Sequence, residues 1–421
     1  MTSRIRKARA IEPTPTPTRI ETVTIKNYRA LRFIELENLT PLTALLGPNG
    51  SGKSTVFDVF SFLAECFGAG GLRAAWEKRG RFRELRTRGA EGPIVFELTY
   101  REAPGDSPAT YHLEIDEQGG APVVVEEWLK WRRVAANRPG APYKAPYKIL
   151  SFKHGRGWVI SGERPEKTDT KVQESLDEPD LLAVSTLGRL KGNARAAALR
   201  RFVTSWYVSY LSAADARGQP DAGAQEHLSR TGDNLANVIQ FLKERHPKTL
   251  DTIFTTLRRR VPQIDRVTSE EQRDGKLLLL VKDAPFKEPI LARFASDGTL
   301  KMLSCLVVLH DPAPAPFIGI EEPENYLHPR LLAELSEECR EATDASQLVV
   351  TTHSPFFLNA LRPDEVRVLY RDDEGYTQAK RTSEIHGVPE LIAAGATLGS
   401  LWMEGRFGAG DPLVRGGKPA K

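Results

Sequence analysis

One nine-residue segment constrains the fold more than any other part of this 421-residue sequence. Residues Gly47–Thr55 read GPNGSGKST and match the pattern GxxxxGK[ST]. An apolar run at 42–46 precedes the segment, and 54–67 follows with apolar residues at helical spacing. A glycine-rich loop between a strand and a helix turns its backbone N–H groups towards a phosphate. The segment therefore predicts a phosphate-binding loop; a turn that only caps a helix is the alternative.

Two side chains of this loop carry predicted chemistry. Lys53 would reach the β- and γ-phosphates of a nucleoside triphosphate, and the Ser54 hydroxyl would bind Mg²⁺. The complete set of predicted nucleotide-binding residues in the loop is Gly47, Pro48, Asn49, Gly50, Ser51, Gly52, Lys53, Ser54 and Thr55.

A second buried strand, at 317–320, ends in the acidic residues Glu321 and Glu322. Adjacent residues at a strand tip point in opposite directions, so one carboxylate can hold Mg²⁺ while the next polarises the attacking water. We assign Glu321 to the metal and Glu322 to the general base. The alternative is the acidic start of a helix, which Pro323 would tolerate.

Two further segments complete an ordered series of motifs. Ser296 and Gly298 lie in an SDGT segment before an apolar helix, and His353 follows an apolar strand at 348–352. Taken alone, SDGT is a common helix N-cap and a histidine at a strand end is more often structural. At this place in the order, the imidazole could contact the γ-phosphate and sense its loss.

The four motifs, in this order, resemble the ATPase heads of the SMC/RecF-like ABC class, and are most similar to its short bacterial AAA-type ATPases. The resemblance covers about residues 20–375 and includes IKNYRAL from Ile25, RTGDNLANVI from Arg230, IEEPENYLHP from Ile320 and TTHSPFFLNAL from Thr351. It implies an α/β P-loop NTPase fold: an ABC-type head with an antiparallel β subdomain, a helical insertion and no long coiled coil.

The resemblance also implies ATP and Mg²⁺ as cofactors and a homodimer with two ATP molecules between the heads. Each site would combine Lys53, Ser54, Glu321 and Glu322 of one chain with Ser296 and Gly298 of the other. His353 would be the switch histidine, and Glu324 and Asn325 would fall in the loop that crosses the dimer axis. Two departures stand out: most ABC heads have Asp at the Glu321 position, and no glutamine lies between Lys53 and Tyr100.

The chain divides by composition and pattern into five predicted segments. They are a flexible basic, Pro-Thr tail at 1–19; the first part of the head, with the phosphate loop and the antiparallel β subdomain, at 20–177; a helical insertion at 178–265; the second part of the head at 266–405; and a flexible tail at 406–421. The acidic run 372–375 predicts a hairpin turn rather than a nuclease site.

Charge restricts the ways in which the chain could bind nucleic acid. The formal net charge is +4, and the first 19 residues account for it, so any such contact must come from local patches. Six basic residues between Lys78 and Arg88 form the favoured patch for DNA phosphates, and Arg258–Arg260 form a second. The alternatives are a solvated face for the first patch and helix-end charges for the second.

The remaining composition favours a cytoplasmic protein without membrane contact. The three cysteines, Cys66, Cys305 and Cys339, have no paired spacing, which fits a reducing compartment. No apolar run approaches the roughly 18 residues of a membrane span, and the first residues lack an apolar signal core.

Three functions fit this sequence. The favoured one is an ATP-hydrolysing dimeric switch that acts on DNA, in repair or in defence against foreign DNA. The second is an ATP-driven regulator of a separately encoded effector protein, without direct DNA binding. The third, a non-hydrolysing ATP-bound scaffold, is disfavoured by the intact Lys53 and Glu322.

Overall fold

The computed structural model describes residues 17–132 and 145–409. The predicted tails lie mainly outside this part of the chain: residues 1–16 and 410–421 are not described. Their predicted flexibility therefore stays a prediction.

The described residues form seventeen strands and twelve α-helices. The strands are β1 Arg19–Tyr28, β2 Leu31–Leu36, β3 Leu42–Leu46, β4 Ile94–Arg101, β5 Ala109–Gln118, β6 Ala121–Trp131, β7 Tyr147–Lys153, β8 Arg156–Ile160, β9 Lys171–Ser175, β10 Tyr207–Ser209, β11 Ile264–Glu271, β12 Leu277–Asp283, β13 Ile290–Leu291, β14 Phe317–Glu321, β15 Gln347–Thr352, β16 Val366–Arg371 and β17 Thr377–Arg381. The helices are α1 Lys53–Phe67, α2 Gly71–Lys78, α3 Arg81–Leu85, α4 Ala183–Leu187, α5 Ala194–Thr204, α6 Leu235–Arg245, α7 Pro247–Arg260, α8 Asp297–Leu309, α9 Leu332–Ala342, α10 Pro355–Leu358, α11 Val388–Ala393 and α12 Leu398–Met403.

An eight-stranded antiparallel sheet, in the order β2-β1-β4-β5-β6-β7-β8-β9, forms the predicted β subdomain. Buried and half-buried residues alternate along β4 and most of β5, because one face of the sheet packs on the core and the other meets solvent. The antiparallel β subdomain that the resemblance implies is therefore present.

A six-stranded sheet, in the order β10-β14-β15-β3-β16-β17, positions the site. Its first five strands run parallel, and β17 returns antiparallel after the predicted hairpin turn at 372–375. Strands β3 and β15 are buried along their whole length because helices cover both faces of the sheet. The carboxyl ends of parallel strands meet at one edge, and Leu46 of β3 is paired with Thr352 of β15 there.

The predicted helical segment 178–265 differs from the structure in one respect. Helices α4 to α7 lie within it, but so does strand β10, which pairs with β14 at the edge of the parallel sheet. A three-residue strand is too short for its periodicity to be recognised. The part around α4 and α5 packs in the core of the antiparallel sheet and α1, whereas α6 and α7 pack in a second core with α8. The domain boundaries themselves stay predictions.

No helix within the described ranges has the length and apolar character to cross a membrane.

Candidate functional site

The predicted phosphate loop connects β3 to α1, with its glycines where other residues would be strained. Gly52, the residue before α1, has a φ of 106°, and a Cβ there would lie 2.3 Å from Thr377 Oγ1. The Thr377 hydroxyl in turn donates 2.9 Å to the carbonyl of Ser51. Arg371 Nε donates 2.7 Å to the carbonyl of Gly50. Strands β16 and β17 therefore fix the loop in front of the N-terminus of α1.

Lys53 folds back over this loop. Its Nζ donates to the carbonyls of Gly47 at 2.7 Å and Pro48 at 3.2 Å, and the residue is 5% exposed. Burial lowers the pKa of Lys53, and the nearby carboxylates of Glu322, Glu324 and Glu321 oppose that change. The ammonium therefore lies at the mouth of the loop, in the field of an acidic cluster.

Glu321 and Ser54 meet at the same mouth. Ser54 Oγ donates a hydrogen bond to Glu321 Oε1. The two come together because α1 packs on β14, where the rings of Phe60 and Phe317 lie 4.6 Å apart. Burial raises the pKa of Glu321, although the Ser54 hydrogen bond opposes the shift. A hydroxyl and a partly desolvated carboxylate form a pair of oxygen ligands suited to a hard cation.

Glu322 follows the end of β14 with a left-handed backbone, φ 43°. Its N–H donates 3.0 Å to Thr351 Oγ1, and its Oε2 accepts 2.8 Å from Asn325 Nδ2. Its other oxygen, Oε1, lies 3.4 Å from His353 Nδ1. The structure therefore places Glu322 and His353 side by side. The next α-helix starts only at Leu332, so the acidic residues lie on a loop and do not start a helix.

Glu324 points inwards, into its own chain. Its side chain is 5% exposed, and Oε1 accepts from the Thr352 hydroxyl at 2.6 Å and the His353 N–H at 3.0 Å. The resemblance places this residue in the loop that crosses a dimer axis. In the structure, its carboxylate ties that loop to the end of β15.

Ser296 and Gly298 lie at the start of α8. Ser296 is the N-cap, with Oγ accepting 3.2 Å from the N–H of Thr299. Gly298 packs so closely on the loop after β14 that a Cβ would lie 2.7 Å from the carbonyl oxygen of Tyr326. Within the described residues, no hydrogen bond joins Ser296 to the phosphate loop.

Sequence reasoning missed two residues at this edge. Thr351 supplies the acceptor for the N–H of Glu322, but an apolar strand ending in two threonines carries no signal for that contact. Tyr210 follows β10, and its pKa is raised to about 12 by burial, with the Glu321 carboxylate adding to the shift. Its position depends on β10, the strand that the helical prediction overlooked.

The basic patch between Lys78 and Arg88 separates into two kinds of residue. Arg79 is 6% exposed and pairs with Asp58 at 2.8 Å and Glu65 at 2.6 Å, so it serves the fold. Arg86 pairs with Asp116, whereas Arg83 is 92% exposed. A cavity of about 570 Å³ is connected to the phosphate loop through Arg371, which contacts the Gly50 carbonyl. Glu84 and Glu374 contribute to its lining together with five arginines: Arg29, Arg83, Arg86, Arg88 and Arg371.

The second basic patch has a structural partner. Arg260, at the end of α7, pairs with Glu334 at 2.7 Å and Glu338 at 3.1 Å on α9. This contact favours the interpretation of the patch as helix-end charge.

Comparison with known proteins identifies similar sequences and structures. A family model described as "AAA domain, putative AbiEii toxin, Type IV TA system" matches residues 42–121 and 167–359, more than half of the chain. The OLD nuclease of Thermus scotoductus is 24% identical over an alignment of 454 residues, covering 93% of this chain and 70% of that protein. The chromosome partition protein Smc of Methanococcus voltae is 35% identical over 95 residues, which are 21% of this chain and 8% of that protein.

Two solved structures are also similar. An SMC head bound to the C-terminal winged-helix domain of ScpA has a TM-score of 0.46 at 14% identity, covering 86% of this chain and 97% of that chain. The SMC head domain of Thermotoga maritima has a TM-score of 0.39 at 14% identity, covering 86% of this chain and 98% of that chain.

Proposed function

Because this chain belongs to that AAA-domain family, we propose that it is a Mg²⁺-dependent ATPase that works as an ATP-sandwiched homodimer and acts on DNA. The observation that carries the proposal is the contact between Ser54 and Glu321 at the mouth of the phosphate loop. A P-loop hydroxyl beside a carboxylate at a strand end is the pair of ligands that P-loop NTPases offer to Mg²⁺.

The loop residues fit the phosphates of ATP. The left-handed Gly52 lets the loop turn into α1, so that backbone N–H groups face the anion. Lys53 would exchange the carbonyls of Gly47 and Pro48 for phosphate oxygens, since those carbonyls are weaker partners for an ammonium than a charged oxygen is. Bound Mg²⁺ would neutralise phosphate charge and orient the leaving group.

Glu322 is the proposed general base. Asn325 holds one oxygen of its carboxylate, and the other faces His353. A base held in this way keeps its direction while it accepts a proton from water. His353, with Nδ1 near that carboxylate, would orient the water or contact the γ-phosphate.

The position of the signature residues supports the proposed dimer. Ser296 is exposed, and no hydrogen bond joins it to the phosphate loop within the described part of the chain, which is compatible with its supply to the site of a second copy. Large apolar side chains are exposed nearby: Phe294, two residues before Ser296, and Tyr326, whose carbonyl packs on Gly298, are each 67% exposed. Exposed apolar groups beside a predicted contact residue support an interface between two copies.

DNA is the proposed substrate of the switch. The names of two relatives, a nuclease and a chromosome partition protein, support a role on DNA by analogy. Of the basic patch, the exposed Arg83 and Arg88 are accessible to a backbone phosphate, with Arg83 in an exposed ion pair with Glu84, whereas Arg79 is committed to the fold. The arginine-lined cavity next to the phosphate loop would bring such a contact close to the nucleotide.

The second candidate is regulation of a separately encoded effector protein. The family description, which names a toxin–antitoxin system, favours it. DNA binding by the isolated protein separates the two functions. Binding to duplex DNA that weakens with added salt supports action on DNA, and the absence of binding supports regulation of an effector protein.

Phosphate release by the purified full chain tests the ATPase itself. We expect slow ATP hydrolysis with Mg²⁺, and none with EDTA or in a Lys53→Ala variant. Equal release by Lys53→Ala would contradict the proposed site.

A further inference from the structure

Glu324 is a carboxylate buried beside the proposed catalytic residues, and the proposed ATPase mechanism assigns it no step. The side chain is 5% exposed. Oε1 accepts two hydrogen bonds, and Oε2 is buried without a hydrogen-bond partner among the described residues. A buried acid is costly unless its contacts offset the loss of hydration, so its retention here requires an explanation.

Hydrogen bonds in both directions join the loop after β14 to the end of β15, and Glu324 accepts two of them. From the loop after β14, the N–H of Glu322 donates to Thr351 Oγ1. From β15, the Thr352 hydroxyl and the His353 N–H donate to Glu324. Loop and strand therefore each supply donors and acceptors to the other, directly beneath the Glu322–His353 pair.

Glu324 shares its part of the protein interior with a buried cation. Lys301 is 2% exposed, and its Nζ donates 3.0 Å to the carbonyl of Leu211. Both Lys301 and Glu324 act electrostatically on the thiol of Cys305. The carboxylate of Glu324 accepts its hydrogen bonds from Thr352 and His353, so these two contacts fix its position.

We propose that Glu324 is a positioning residue, which fixes the end of β15 so that His353 faces Glu322 in the geometry that hydrolysis requires. The proposal rests on the ATPase function proposed above. Glu324 acts as a hydrogen-bond acceptor through its Oε1 atom and does not touch the nucleotide. Displacement of a catalytic group by about 1 Å can cost on the order of 10²-fold in rate. Loss of the Glu324 contact should therefore lower the turnover rate.

Variants of the acceptor and of its donor test the proposal in the full-length protein. Glu324→Ala removes the acceptor, whereas Glu324→Gln keeps a carbonyl oxygen for Thr352 and His353. We expect Glu324→Ala to lower kcat about 10- to 100-fold with little change in KM for ATP, and Glu324→Gln to restore most of that loss. Thr352→Val removes one of the two donors to Glu324 and also the acceptor of the Ser354 N–H. Its effect should overlap in part with that of Glu324→Ala in the double variant, because both lose the Thr352–Glu324 hydrogen bond.

Glu338→Ala is the matched control. Glu338, on α9, is also a buried acid, and it accepts hydrogen bonds from His310 and Arg260. We expect it to lower stability and leave kcat unchanged. Wild-type kcat in Glu324→Ala or in Thr352→Val would overturn the proposal, as would a Glu324→Gln variant as slow as Glu324→Ala or an equal loss in Glu338→Ala.

Amide hydrogen exchange at His353 in the nucleotide-free protein adds a measurement that does not depend on hydrolysis. Loss of the acceptor in Glu324→Ala should speed exchange at His353, and Glu324→Gln should preserve protection. Unchanged exchange in Glu324→Ala would overturn the proposed contact. Absence of hydrolysis by the wild-type protein would instead contradict the ATPase function, so the two failures are distinguishable.

Discussion

Glu322 Oε1 lies 3.4 Å from His353 Nδ1, although the two residues follow different strands. They meet because β14 and β15 are parallel neighbours, with Glu321 paired in register with Thr351. Asn325 holds the other carboxylate oxygen at 2.8 Å. The site thus contains one carboxylate with a fixed direction, next to an imidazole, at the mouth of the phosphate loop.

Replacement of Glu322 by Gln should separate nucleotide binding from hydrolysis. Gln has nearly the size of Glu and keeps a hydrogen-bond acceptor, but it cannot accept the proton of the attacking water. Loss of a general base typically costs ~10²–10⁴-fold in rate. We therefore expect Glu322→Gln to bind ATP, to accumulate as a dimer in size-exclusion chromatography and to release phosphate at a strongly reduced rate.

Glu334→Gln provides the control for that substitution. Glu334 is a partly exposed acid on α9 that pairs with Arg260, outside the site. The Glu334→Gln variant should hydrolyse ATP at the wild-type rate. Phosphate release by Glu322→Gln at the wild-type rate would mean that another group is the base.

Charge reversal at Arg83 and Arg88 should weaken DNA binding and flatten its salt dependence, since fewer counterions would be released. Both side chains are exposed in the basic patch, whereas Arg79 is held by Asp58 and Glu65. Fluorescence anisotropy with a labelled duplex at several salt concentrations measures both quantities. Lys243→Glu with Arg245→Glu, on the exposed end of α6, reverses the same charge elsewhere. If both double variants bind DNA with equal affinity and equal salt dependence, the basic patch is a solvated face and not a DNA contact.

The sequence predicts those parts of the site that depend on strong local patterns. The phosphate loop, the apolar strands before Glu321 and His353, and the N-cap Ser296 all lie where the pattern places them. Each is specified by a run of apolar residues or by a turn residue within a few positions. Their roles in binding and catalysis stay predictions.

Features that depend on tertiary contacts were not predicted from the sequence. Strand β10 has only three residues, and the inward direction of Glu324 depends on a neighbour in a distant strand. The basic patch likewise reads as one feature in the sequence. In the structure, the fold buries Arg79 and exposes Arg83, because only one of them faces the acids of α1.

Glu127 should make stability depend on pH near neutrality. It is fully buried on β6 and accepts hydrogen bonds from the N–H groups of Ala183 and Val184 and from the Tyr111 hydroxyl. Burial raises its pKa to about 7, against those hydrogen bonds. The folded state therefore binds this proton more tightly than the unfolded state, whose glutamate pKa is about 4.3. The resulting stabilisation is complete below about pH 4.3 and is lost as the pH rises through 7.

Urea unfolding of the wild type and of Glu127→Gln between pH 5 and pH 8 measures this effect. The free energy of unfolding should fall more steeply with pH in the wild type than in Glu127→Gln. Glu126→Gln is the neighbouring control: Lys148 and Lys153 help to hold the pKa of Glu126 below its ordinary value, so its titration lies below this window. Parallel curves for wild type and Glu127→Gln would show that Glu127 does not titrate there.

Mixing two inactive variants should restore hydrolysis if each site is shared between chains. Lys53→Ala loses a phosphate contact, and Ser296→Arg puts a bulky cation where a small hydroxyl must approach the partner's nucleotide. A mixed dimer has one doubly damaged site and one intact site. With equal amounts, random exchange and independent sites, half the dimers are mixed, so recovery should reach at most about a quarter of wild-type phosphate release. Inactivity despite mixed dimers verified by differential tagging would mean coupled sites or sites complete within one chain, and full activity of Ser296→Arg alone would exclude the shared site.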